Sequence, residues 1–517
     1  MIIIRKNTLP SLDEPHPFSE SSFKDVYRNR KKWQHMPQLV ANQIAEKQRG
    51  CYPQVDLSLQ RKPRAPHLMP LTKSVFNISK SVGENGEGIL LNTATEAVVI
   101  LNPLEFDVFN GLGSSISDTS EFIDMLEQLG ILVEEDTDEY FFFDQLRSRF
   151  SSGEEDCINV TIYPTQDCNA RCFYCFEQDE HKITMSEMTA DAVIDYLFGA
   201  ILPSDEVIFR WFGGEPLYAA NIIDRIITGL ADRFYGKLNY HSVVITNASL
   251  IDDAMLEKFL TTWHVRKVQT TIDGYHEEHE RRKAYIDGRS NTYEHTIKTI
   301  GKLLDAGIFT ICRFNLDKLN IDDFHRALAD LQPYLSNENF FVHATTLRSN
   351  GLWKEEYRER YFTPSEYPTF YSKVLRDLFD YGFYKDPINI LPIRARNVCL
   401  ACSSSSYVIN SEGKLFRCLE HSLSDEEETG DVFNGRKINS AYRKWFDMTN
   451  HLPSKCTTCA FLPCCQGGCK HYRMHGKPDA SPCLREKFYI ETLLDVVYEQ
   501  TVNAGQRAHL QLKGGNL

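Results

Sequence analysis

Nine residues constrain this chain more than any others: Asp167-Cys168-Asn169-Ala170-Arg171-Cys172-Phe173-Tyr174-Cys175. The spacing C-x3-C-x2-C follows directly on a strand-like run, Ile158 to Tyr163. It offers three thiolates and not four. A cubane iron–sulfur cluster takes one ligand per iron, so three cysteines leave one iron open to a substrate or cofactor. A structural zinc site is normally closed by a fourth cysteine or histidine, and none follows at zinc-like spacing.

The cysteine count carries the argument further. Fifteen cysteines in a chain whose N-terminus, Met1 to Lys6, is too short and too soon charged for a signal peptide point to metal or redox chemistry, not to a disulfide framework. Four lie at 157–175 and eight at 399–483, setting Cys464 aside. Cys51, Cys157 and Cys312 are expected to be core or incidental thiols. The formal net charge of −14 speaks against a dedicated nucleic-acid binder. No stretch approaches the ~20 apolar residues of a membrane span. The expected setting is cytoplasmic, with no nucleic-acid and no membrane partner.

A chain of 517 residues suggests several domains. Residues 1–70 read as a charged, proline-bearing extension with some helix around 22–48. Residues 71–150 read as a small separate unit: strands at Gly88–Asn92 and Ala97–Leu101, helices at Pro103–Leu112 and Thr119–Leu129, and a closing hairpin of Ile131–Val133 with Glu139–Phe143. From 157 to 350 strand and helix alternate. Strands are expected at 158–163, 207–212, 241–247, 267–273, 309–315 and 340–347, and helices at 187–200, 217–235, 252–262, 294–306 and 322–335. Six such units imply a parallel α/β sheet, either an open barrel or a doubly wound sheet, with functional loops at the C-terminal strand ends. A bridging region, 351–398, holds one helix near 364–381. Residues 399–485 are cysteine-rich and aperiodic, and 486–517 form a closing helix and tail.

In the cysteine-rich region Cys399 and Cys402 precede Cys418, then Cys456-x2-Cys459-x5-Cys465-x3-Cys469, then Cys483. Eight thiolates suffice for two fully ligated four-iron clusters; two four-cysteine zinc sites in a non-enzymatic scaffold are the alternative. Upstream, Gly213-Gly214-Glu215 follows the second strand. Two glycines let backbone approach a ligand, and a carboxylate accepts from an ammonium; the bland reading is a turn. Thr246-Asn247 and Asp273-Gly274 end the third and fourth strands, where turns are again the alternative.

Taken together, these motifs resemble the radical S-adenosylmethionine (SAM) enzymes. The resemblance implies a partial (β/α)6 TIM barrel in which Cys168, Cys172 and Cys175 hold a 4Fe-4S cluster whose fourth iron binds SAM. It implies SAM contacts at Tyr174, Gly213, Gly214, Glu215, Thr246, Asn247, Asp273 and a basic residue, taken as Arg282 but not separable from Arg281 or Lys283. Glu280 stands where the family has an aspartate. Residues 399–483 resemble the SPASM auxiliary-cluster extension, which implies one cluster on Cys399, Cys402, Cys418 and Cys469 and a second on Cys456, Cys459, Cys465 and Cys483. Residues 71–150 resemble a PqqD-like, winged-helix-like peptide-recognition element, with a plain packing domain as the alternative. The whole then resembles a radical SAM peptide maturase with three 4Fe-4S clusters and SAM. It would act on a ribosomally made precursor peptide with a leader, draw electrons from a low-potential donor such as a flavodoxin or ferredoxin, and install a thioether or carbon–carbon cross-link. An oxidase resembling the anaerobic sulfatase maturases, forming formylglycine, is the rival enzyme reading.

Overall fold

Apolar strands with both faces covered organise the molecule. The computed structural model describes residues 2–5, 70–144, 157–475 and 483–514, apart from 114–115, 117–119, 142, 176, 178–181, 348–354, 396–398, 422–423 and 451. The helix expected at 22–48 lies outside the described residues.

The front unit is a four-stranded antiparallel sheet in the order β1-β5-β4-β3, built from β1 (Ile2–Arg5), β3 (Asn77–Val82), β4 (Glu87–Asn92) and β5 (Val98–Leu101). Helices α1 (Pro103–Gly111) and α2 (Glu121–Gln128) pack on it around Leu90, Val99, Phe109, Ile123 and Leu126. Asn102 and Glu105 cap α1 reciprocally, each accepting the other's backbone N–H at 2.9 Å. Two features depart from expectation. Ile2–Arg5 pairs with β5 as an edge strand. The hairpin expected between Ile131–Val133 and Glu139–Phe143 does not form: β6 (Leu132–Glu134) pairs with β2 (Leu71–Lys73), and residues 139–141 and 143–144 are helical. Asp138 explains the difference, because its carboxylate accepts the Phe141 N–H at 2.8 Å and starts a helical turn. The run of aromatic residues had disguised that cap as strand.

The main sheet has eight strands in the order β12-β11-β10-β9-β8-β7-β13-β14. Six of them come in chain order and are parallel: β7 (Cys157–Thr165), β8 (Glu206–Gly213), β9 (Asn239–Ile245), β10 (Val265–Ile272), β11 (Phe309–Leu316) and β12 (Phe340–Thr346). That consecutive order is the barrel-type choice; a doubly wound sheet reverses direction at a switch point. Helices α3 (Glu187–Ala200), α4 (Ala220–Arg233), α5 (Asp253–Thr261), α6 (Glu277–Lys283), α7 (Thr292–Asp305) and α8 (Ile321–Leu331) connect the strands, and α9 (Tyr367–Asp380) follows them. Burial follows the helical period: α4 turns Ile222, Ile223, Ile226, Ile227 and Leu230 inward. Ser186 caps α3 through the Thr189 N–H at 3.0 Å, and Asp252 caps α5 through Met255 at 2.8 Å. The short helix α6 was not foreseen; its three consecutive basic residues, Arg281 to Lys283, hide any apolar stripe.

Beyond 399, β13 (Ser406–Ile409) joins β7 in parallel, and β14 (Leu415–Phe416) closes that side antiparallel to β13. Helices α10 (Ser440–Asn450), α11 (Leu462–Cys465) and α12 (Lys470–His475) follow, and α13 (Ile490–Gly514) runs back past α9 and β3. Among the described residues no helix is long and apolar enough to cross a membrane.

Candidate active site

The cysteine loop leaves the C-terminal end of β7 and is tied down on both sides. Asp167 accepts the Cys168 N–H at 2.8 Å, and the Cys172 carbonyl accepts from Cys175 at 3.0 Å. Asn169 donates to Ser249 at 2.9 Å and to Asp287 at 3.0 Å, and accepts from Asn247 at 2.9 Å. The Arg171 side chain folds back on the carbonyls of Cys168 and Ala170. On the β8 side two glycines are required. A Cβ on Gly213, at φ +115°, would lie 2.3 Å from the Thr165 carbonyl oxygen; one on Gly214 would lie 2.2 Å from that of Asp167. The Glu215 N–H reaches the same Asp167 carbonyl at 2.9 Å.

The loop brings its three thiols into one another's fields. Burial pushes Cys168 up to about 12, with Glu215 adding to the shift, and Cys175 up to about 12, with Cys172 adding. Burial also raises Cys172, against the pull of Lys283. Thiols so disfavoured as lone anions suit a group that itself supplies positive charge, and such binding releases their protons.

Two buried acids stand beside them. Glu215 is fully buried and accepts from the Thr246 hydroxyl at 2.7 Å, the Asn247 N–H at 2.8 Å and the Leu217 N–H at 3.1 Å. Burial raises its pKa despite these donors. Asp273 accepts from Tyr174, from Lys283 at 3.0 Å and from Asn315 at 3.1 Å. Burial opposes its charge, but the Lys283 ammonium, helped by the Tyr174 hydrogen bond, outweighs it and holds the carboxyl below its ordinary value. His279 accepts the Asp273 N–H at Nδ1, 3.3 Å, and burial drives its pKa down to about 3, so the ring is neutral.

Cys168, Cys172, Cys175, Tyr174, Gly213, Gly214, Glu215, Thr246, Asn247 and Asp273 thus gather at the C-terminal ends of β7 to β10. Arg282 turns elsewhere: it bonds Glu278 and Asp317, each at 2.6 Å, with Phe173 over its guanidinium at 5.3 Å. Of the three basic candidates, Lys283 is the one whose ammonium meets Asp273 and acts on Cys168 and Cys172. Sequence reasoning passed over Asn169, Tyr285 and Asn315. Asn315 was within reach of the strand-end argument, since it sits near the end of β11. A four-iron cluster with SAM fits these residues. The donor set is three thiols, and two polar atoms at the site, Tyr285 Oη and His279 Nε2, are buried without a hydrogen-bond partner among the described residues.

The later cysteines fall into two neighbourhoods. Cys399 lies in the field of Cys402, and Cys418 in those of Cys399 and Cys469. Arg417, 3% exposed, ties this loop together by donating to the carbonyls of Ala401 at 3.0 Å and Ser406 at 2.8 Å. Cys456 lies in the fields of Cys459 and Cys483, and Cys465 in those of Cys483, Cys456 and Cys459. The Lys487 ammonium is 3.4 Å from the Cys459 sulfur. Cys464 points the other way, 3.9 Å from the Thr93 carbonyl oxygen and 3.7 Å from that of Pro392. Among the described residues the sulfurs are neighbours without three such side chains closing on a single ion, and no disulfide joins them.

Residues 162–331 match the family model described as the Radical SAM superfamily. The match supports a SAM-dependent enzyme that uses an iron–sulfur cluster. A stretch of 136 residues, 26% of this chain, is 31% identical to an uncharacterized protein of Methanocaldococcus jannaschii; it spans 45% of that protein, under half its length. A cysteine-type anaerobic sulfatase-maturating enzyme of Clostridium novyi is 21% identical over 63% of this chain and 91% of its own. The radical SAM cyclopropyl synthase TigE of Paramaledivibacter caminithermalis is 22% identical over 47% of this chain and 55% of its own. Among solved structures, anSMEcpe with bound AdoMet and Cp18Cys peptide superposes with a TM-score of 0.51 at 16% identity, over 68% of this chain and 99% of that one. That likeness is one of fold, and it extends beyond the residues that match the family model.

Proposed function

We propose that this protein is a radical SAM maturase of a peptide substrate, and that it installs an intramolecular cross-link, either a thioether from a cysteine sulfur to carbon or a carbon–carbon bond. One observation carries the reading: a loop with three thiols and, among the described residues, no fourth ligand faces two buried acids at the strand ends, while eight further cysteines form two neighbourhoods of four. Cys168, Cys172 and Cys175 would hold the reactive cluster. Bound there, the cluster and SAM supply one-electron chemistry able to remove hydrogen from an unactivated carbon. Glu215 offers its carboxylate to the ammonium of SAM. Gly213 and Gly214 let the backbone approach. Asp273 fixes Tyr174 and Lys283 beside the loop. Cys399, Cys402, Cys418 and Cys469 would hold one auxiliary cluster, and Cys456, Cys459, Cys465 and Cys483 the other, with Lys487 offsetting negative charge at Cys459. An external low-potential donor, of flavodoxin or ferredoxin type, would supply the electron. The front sheet would receive a leader segment by strand addition. The Cp18Cys peptide bound to anSMEcpe and the ring-forming activity in TigE's name support a bond-forming enzyme acting on a peptide.

A second reading has its own support. The match to the Clostridium novyi enzyme over 91% of that protein favours an oxidase that turns a cysteine or serine into formylglycine. Anaerobic co-expression with a candidate precursor separates the two. A cross-link removes about two mass units per bond, because each bond formed replaces two bonds to hydrogen, and leaves no aldehyde. Formylglycine is captured by a hydrazide probe. An unmodified peptide alongside active SAM cleavage would sink both readings for that substrate. Colourless protein loaded with zinc after strictly anaerobic preparation would sink the enzyme reading altogether.

A further inference from the structure

Among the described residues, the buried hydroxyl of Tyr285 has no hydrogen-bond partner. Helix α6 ends at Lys283, and Ala284 turns the chain through a left-handed conformation, φ 47°. The backbone then runs along the cysteine loop: the Arg171 N–H reaches the carbonyls of Lys283 at 2.8 Å and Ala284 at 3.2 Å, and the Ile286 N–H reaches the Asn169 carbonyl at 2.9 Å. Tyr285 is therefore pinned between two residues fastened to the stretch between Cys168 and Cys172. Its ring is half-buried, its Oη is out of solvent and without a partner, and it lies in the field of Lys283, Cys172, Glu215 and Asp273.

Burial raises the phenol well above its ordinary value even though Lys283 pulls the other way, so Tyr285 is a neutral donor at physiological pH. A buried donor without an acceptor is a standing cost, which a bound ligand relieves. The charges nearby say which part of the ligand. The buried Glu215 carboxylate serves the ammonium of an amino-acid moiety; the carboxylate of that moiety needs donors, and Lys283, which Asp273 holds beside the loop, and Tyr285 are the two that the α6 segment brings to it.

We propose that Tyr285 Oη donates a hydrogen bond to the carboxylate of SAM and sets the orientation of its methionyl group beside the open cluster position. The inference rests on the radical SAM reading above. Tyr285→Phe keeps the ring and its packing and removes only the donor. The reconstituted holoprotein is titrated with SAM and with decarboxylated SAM, following the change each makes in the EPR signal of the reduced cluster. The variant is expected to bind SAM about tenfold more weakly than wild type, to bind decarboxylated SAM equally well, and to keep the wild-type iron and sulfide content. Unchanged SAM affinity overturns the proposal. So does an equal loss for both ligands, and so does lost iron with SAM affinity unchanged in the clusters that remain. A wild-type protein whose signal ignores SAM would overturn the underlying reading and not merely this residue's part in it.

Discussion

At the scale of single residues the site depends on close approach. Gly214 has no room for a methyl group, because the obstacle is the backbone of Asp167 and not a side chain that can swing away. Gly214→Ala is expected to push the cysteine loop off the end of β8, lowering bound iron by about four per chain and abolishing SAM cleavage. Metal analysis with a cleavage assay checks this, and full iron with normal cleavage would contradict it. Lys283 makes a different prediction. Its ammonium is the compensating charge for Asp273, and removing one partner of a buried pair costs about 3–5 kcal/mol. Lys283→Met should therefore lower the thermal midpoint by several degrees, whereas Arg281→Met, which strips a more exposed partner from Glu278, should cost under about 1 kcal/mol. Calorimetry of the two variants side by side tests the contrast. The sequence left these basic residues unseparated because consecutive residues on a helix point in different directions, and only the placement of α6 decides which one meets the site.

At the scale of elements, the strand–helix alternation was legible because each unit writes its own burial pattern: α3 was expected at 187–200 and forms over Glu187–Ala200, and β11 was expected at 309–315 and forms over Phe309–Leu316. What was not legible depends on partners far away in the chain. Nothing local in Ser406–Ile409 says that it inserts beside β7, and nothing in Ile2–Arg5 says that it pairs with β5. Glu139–Phe143 was misread for a local reason, the Asp138 cap. The insertion of β13 predicts a failure mode. A chain ending before 399 would leave β7 as an apolar edge strand, with Val160 and Ile162 fully buried in the intact protein. Such a truncation should aggregate during expression, seen as loss from the soluble fraction, where an autonomous radical SAM domain would remain soluble.

At the scale of the whole molecule, the front unit and the second cysteine neighbourhood are built against each other. The turn after β4 docks on the loop that carries Cys456, Cys459 and Cys465. The Thr93 hydroxyl donates to the Ala460 carbonyl, Glu96 accepts the Arg394 N–H at 2.8 Å, and Leu462 packs with Phe76, Ala94 and Phe143. Loosening that seam with Thr93→Val and Glu96→Ala together should lower bound iron by about one cluster while SAM cleavage persists; unchanged iron would show that the seam is mere packing. The pairing of Ser406 with Asn159 has a further consequence, in time and not in space. Synthesis delivers the cysteine loop early and its sheet neighbour late, after most of the chain has left the ribosome. For that interval β7 has an open flank, and the order in which iron arrives and β13 docks becomes a race that the cell, and anyone expressing this protein, must arrange to win.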